Sequence, residues 1–134
     1  MQSRAVESFD SALSQLLAEA DQRLEARYGH TLRRHPARPP EGAGARPQYA
    51  GLFTVVANFS AGIGSQFGPG YTLTIRAATL DAVSPEQQRT WEAETVAFLR
   101  ARLPEVFPGR ALALDRDTLG WKLHGDLSLN PPRA

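Results

Sequence analysis

GLFTVVANFSAGIGSQFGPGYTLTIRA, residues 51–77, decides how this chain folds. Side chains alternate between the two faces of a strand. In residues 51–59 that puts Phe53, Val55, Ala57 and Phe59 on one face, and Leu52, Thr54, Val56 and Asn58 on the other. Both faces are partly apolar, which predicts a strand in the middle of its sheet. Residues 71–77 alternate more cleanly, with Tyr71, Leu73, Ile75 and Ala77 against Thr72, Thr74 and Arg76. One face of this second strand is therefore expected to meet water. Between the strands lies Asn58 to Gly70, the longest glycine-rich irregular stretch in the chain. The simplest arrangement is an antiparallel hairpin over 51–77 with an enlarged tip.

On the N-terminal side, residues 8–28 carry Phe9, Leu13, Leu16, Leu17, Ala20, Leu24 and Tyr28 at helical spacing, with polar residues opposite. Ser8 can cap the start, and Gly29 follows where a helix favours glycine. Residues 29–50 form a Pro/Arg-rich connector. Pro36, Pro39, Pro40 and Pro47 deny it a helix or a central strand.

On the C-terminal side, Ser84-Pro85-Glu86-Gln87 is a capping box with proline in the first turn. The helix it starts is expected over 84–103, ending before Pro104, with Trp91, Thr95, Phe98, Leu99 and Leu103 buried. A second hairpin is expected over 111–127. Its first strand ends at Asp115, Asp115 to Gly120 make the turn, and Trp121, Leu123, Gly125 and Leu127 alternate against Lys122, His124 and Asp126. Residues 128–134, LNPPRA after Ser128 included, read as a loose tail. The order α-β-β-α-β-β predicts an α+β fold in one domain over 1–134. It would have a single, mostly antiparallel four-stranded sheet with two helices packed on one face. The open face would carry Thr72, Thr74, Arg76, Lys122, His124 and Asp126.

The composition narrows the function classes. The chain has 134 residues, 42% hydrophobic and 22% charged, which suits a small globular protein able to bury a core. Its formal charge of +1 supplies no general attraction to nucleic acid or anionic lipid. There is no cysteine, which excludes disulfides, thiolate metal sites and a cysteine nucleophile and fits a cytoplasmic location. No apolar run approaches a membrane span, and Glu7 and Asp10 fall where a secretory signal would be apolar. Arginine supplies every basic side chain but Lys122, as in a GC-rich bacterial genome.

Three groups of residues carry candidate function. The first is the loop, where Ile63 and Phe67 need either a place on their own fold or a partner, with Ser65 and Gln66 between them. Successive N–H groups from Gly62 to Gln66 also suit an anion-binding nest. However, no phosphate-binding fingerprint is present, and a strand rather than a helix follows. The second is the connector. From Arg27 to Arg46 five arginines face one acid, Glu41, a local charge of +4. Arg33, Arg34, His35 and Arg38, with Arg76 and Lys122 on the sheet, can contact phosphates, and Tyr28 and Tyr49 can stack on bases. The third is His124 with Asp126, two residues apart on one strand face, as a general base and its orienting carboxylate, with Ser60 or Ser65 as nucleophile. His30 and His35 lack the further ligands that a metal needs, so neither a metal nor a cofactor is implied.

No catalytic set emerges, and an enzyme using His124 and Asp126 is the weakest reading. The leading expectation is a non-enzymatic domain acting through protein–protein contacts or homo-oligomerisation. Its partner is an unidentified protein or a second copy, met through Ile63, Ser65, Gln66 and Phe67. The alternative is a nucleic-acid-binding domain using the basic connector and the open sheet face. The residues themselves assign no family.

Overall fold

A computed structural model describes residues 4–40, 50–118 and 120–127. The elements are α1 (Arg4–Tyr28), β1 (Phe53–Ser60), β2 (Gly70–Ala77), α2 (Pro85–Val106), β3 (Leu112–Asp117) and β4 (Gly120–Gly125). The α-β-β-α-β-β order holds, and the strands form one antiparallel sheet in the order β1-β2-β4-β3. Both helices cover the same face. Phe53, Val55, Leu73, Ile75, Leu114 and Leu123 from the sheet join Leu13, Leu16, Leu17, Trp91, Val96 and Leu99 from the helices in one core. Burial of apolar side chains at about 1.5–3 kcal/mol each holds the two layers together.

Four expectations about the elements are corrected. The strand at 51–59 is an edge strand, not a central one. Its apolar second face arises because Leu52 precedes β1 and is buried against the end of the helical layer rather than under another strand. α1 begins at Arg4, so Ser8 lies inside the helix and is not its cap. α2 runs through Pro104 to Val106. Proline costs a helix interior about 3 kcal/mol, but here it falls in the last turn. There the Phe107 N–H still reaches the Leu103 carbonyl, at 2.8 Å. The extra turn delivers Phe107 into the core, stacked on Phe9 with ring centroids 4.6 Å apart. Finally, β3 extends to Asp117, which pairs with Gly120. Asp115 and Asp117 are thus strand residues on the outer face rather than turn residues.

The capping box forms as expected: the Ser84 hydroxyl accepts from the Gln87 N–H, and the Gln87 side chain accepts from the Ser84 N–H. The described part of the connector, 29–40, is fastened to the fold. The His35 N–H donates to the Ala78 carbonyl at 2.7 Å, and the Gly51 N–H donates to the Pro39 carbonyl at 2.8 Å. Tyr49 and the tail after Leu127 lie outside the described residues. No helix among the described residues is long and apolar enough to cross a membrane.

Candidate functional site

The loop between β1 and β2 folds back over the outer face of the sheet. Gly62, Gly64 and Gly68 all take positive φ, and an added Cβ on Gly62 would meet the Gly68 backbone at 2.5 Å, so the two arms of the loop touch. Asp117 of β3 is the anchor. It accepts the Ser65 hydroxyl and, at 2.9 Å, the Gln66 N–H. The Phe67 N–H in turn donates to the Ser65 oxygen at 3.1 Å. The N–H groups suited to an anion nest are used within the protein: that of Gly62 donates to the Ser60 hydroxyl oxygen, that of Ser65 to the Gly62 carbonyl, and that of Gln66 to Asp117. The Ser65 and Gln66 donors, then Thr118 and the Lys122 charge, hold the Asp117 carboxyl down at about 2.

Phe67 and Ile63 part company. The Phe67 ring stacks on the His124 imidazole, centroids 4.2 Å apart and 15° from parallel. Ile63 is 90% exposed. Beneath the loop lies Lys122, expected on an open surface but only 2% exposed. The stem passes over Gly70, where an added Cβ would come within 3.0 Å of Cε, and its charge faces Asp117. The loop, seated on Asp117 and His124 beside it, accounts for the cover, and no alternation pattern within β4 could have announced that.

His124 pairs with Asp115, not Asp126. Its Nε2 lies 2.8 Å from Asp115 Oδ2. Alternation stops at Gly125, whose φ of 113° ends β4, and the Asp126 N–H turns to the Ala111 carbonyl. Asp115 lies diagonally across on β3 and also meets Arg100 at 3.5 Å. The Ser65 hydroxyl goes to Asp117 rather than to the imidazole. The Ser60 hydroxyl oxygen accepts the Gly62 N–H, so neither candidate nucleophile is bonded to the imidazole.

The connector arginines bond within the fold, although Arg33 and Arg34 stay exposed and only Arg38 is partly buried. Arg38 donates to the carbonyls of Gly51 at 3.0 Å and Phe53 at 2.7 Å. Arg33 pairs with Asp81 at 2.9 Å, which raises its own pKa and lowers that of Asp81. Arg34 donates to the Arg38 carbonyl, and the His35 ring accepts the Ala37 N–H. Arg76 remains exposed on β2, opposite Thr54 of β1. Lys122, being buried, adds nothing to an exposed basic surface with them. No group of three or more His, Asp or Glu side chains among the described residues is arranged to hold a metal.

Sequence reasoning missed two residues here. Phe59, assigned inward, is 66% exposed at the end of the β1 edge and stands edge-on to Tyr71 at 5.8 Å. Burial raises the Tyr71 phenol to about 12, helped by its hydrogen bond to Asp10. Glu25, a buried carboxylate on α1, accepts the N–H groups of Leu52 at 2.7 Å and Phe53 at 3.2 Å. It follows Leu24 beside the apolar stripe, but nothing local to it signals the two amides it accepts.

A family described as "Uncharacterised protein" matches residues 4–125, from the first residue of α1 to the last of β4. An "Uncharacterized protein" of Borreliella burgdorferi (strain ATCC 35210 / DSM 4680 / CIP 102532 / B31) is 32% identical over 117 residues, covering 87% of this chain and 91% of that protein. No solved structure matches. The extent of the match, across every helix and strand just described, makes the chain a member of this family of uncharacterised proteins.

Proposed function

We propose that the protein is a non-enzymatic contact module that binds another protein through the β1 end of its sheet. The observation that carries this is Ile63. The loop around it is fastened to Asp117 and His124, yet holds this one apolar side chain out in water. Phe59, four residues earlier and also exposed, lies at the same end of the sheet. Two large apolar side chains projected from ordered backbone fit a contact surface better than a solvated loop. Ser65 and Gln66 serve in this reading as the brace that orients Ile63, and Phe67 as its anchor. The absence of cysteine supports a cytoplasmic setting. A nucleic-acid role has less support, because Arg38 is bonded to backbone carbonyls and the charge of Arg33 is offset by Asp81.

The test is co-purification from the native cell with the wild-type chain and with Phe59→Ser/Ile63→Ser. A partner recovered with the wild type and lost with the variant, at unchanged circular dichroism, is the expected result. The same proteins recovered with both would sink the proposal.

A further inference from the structure

The β1 edge is closed at its start and open beyond. Glu25 takes the Phe53 N–H, and Arg38 takes the Phe53 carbonyl. Backbone groups point alternately toward and away from the neighbouring strand, so Val55, Ala57 and Phe59 share the outward direction of Phe53. Val55 is buried. Ala57 and Phe59 are not, and among the described residues no hydrogen bond reaches their outward groups. An open edge with unpaired donors and acceptors is a template for another strand.

A groove of about 450 Å³ runs between this edge and α1. Leu13, Leu17 and Val55 give it apolar surface, while Asp10 and Asp21 give it negative charge. No basic side chain lines it among the described residues. At its end stands Phe59, against Tyr71.

We infer that this edge accepts an extended basic segment of a partner protein as an added strand. The inference rests on the protein-contact reading above and names the partner's chemistry. The segment's backbone pairs with Ala57 and Phe59, and a lysine or arginine reaches Asp10 at the groove wall. Charge argues against a second copy as the occupant. β1 itself is uncharged, and pairing two copies edge to edge would bring one acidic groove toward the other.

The experiment is fluorescence anisotropy with three labelled octapeptides: alternating valine and lysine, the same with alternate backbone nitrogens methylated, and alternating valine and glutamate. Saturable binding of the lysine peptide alone is expected. Asp10→Asn should weaken it by about fivefold and flatten its salt dependence. Ala57→Pro should weaken it similarly, since proline is tolerated where an edge N–H faces outward. Equal binding of the methylated peptide would overturn strand addition, and the methylated probe makes this readable even if Ala57→Pro fails to fold. Equal binding of the glutamate peptide would overturn the basic partner. A dimer by light scattering that Ala57→Pro abolishes would hand the edge to a second copy and overturn the inference. If no peptide binds while Phe59→Ser/Ile63→Ser still loses its co-purified partner, the inference falls and the contact reading stands.

Discussion

Glu25 joins the first helix to the first strand. Its carboxylate is buried, accepts two backbone N–H groups at the start of β1, and crowds Gly51, whose φ is 77° and where an added Cβ would meet the carboxylate at 2.8 Å. Leaving a buried donor without a partner costs about 1–3 kcal/mol, against about 1 for a made hydrogen bond. Glu25→Ala orphans two donors, so it should destabilise the protein by about 2–5 kcal/mol. Glu25→Gln keeps one acceptor oxygen and should lose less. Urea unfolding of the three proteins checks the order. Equal stability of Glu25→Ala and wild type would mean that water reaches the Leu52 and Phe53 amides. The helical pattern marked the neighbours of Glu25 as core. It could not mark Glu25 itself, because the strand whose amides it accepts lies 27 and 28 residues away.

Among the elements, those with a local cause were legible and those set by partners were not. The second helix announced its start through Ser84, Pro85 and Gln87, whose interactions all lie within one turn. Its end was misplaced because Phe107, outside the expected helix, is buried against Phe9 of the first helix, a distant contact that no local pattern displays. The loop was legible as a glycine-rich hairpin tip. Its direction was not, because Asp117, about fifty residues on, decides it. One consequence concerns Lys122, the sole lysine of the chain. With the loop in place its side chain should resist an amine-reactive reagent. Replacing residues 61–69 with Asn-Gly keeps a competent hairpin turn and removes the cover, while the core on the other face of the sheet is untouched. Peptide mapping should then find Lys122 modified at least about tenfold faster than in the intact protein, the factor that about 1.4 kcal/mol of opening free energy gives. Equal rates would mean that the loop does not protect it.

Across the whole molecule, fold class was readable because both helices and all four strands have the right periodicity, and one core takes all their apolar faces. Charge was harder to read. The stretch from Arg27 to Arg46 carries a net +4 in sequence, and that pattern suggested phosphate contacts. In the fold, Arg38 donates to carbonyls at the start of β1, Arg33 pairs with Asp81, and Lys122 is covered and faces Asp117. Arg76 lies opposite Thr54, beside the strand start that Arg38 holds, but most of these cations already have internal partners and the chain as a whole carries only +1. Phosphate binding grows with the number of cations that release counterions together, and its logarithm falls linearly with the logarithm of salt concentration. A near-neutral protein whose connector arginines are tied to Asp81 and to backbone carbonyls should show neither property. Anisotropy titrations with labelled single- and double-stranded DNA and RNA are therefore expected to stay flat from low to physiological salt. Binding that weakens with salt, and whose slope becomes shallower in Arg33→Ala/Arg34→Ala, would show instead that the connector opens to present its arginines. Arg38→Ala cannot serve in that comparison, because it removes the bonds that hold the start of β1.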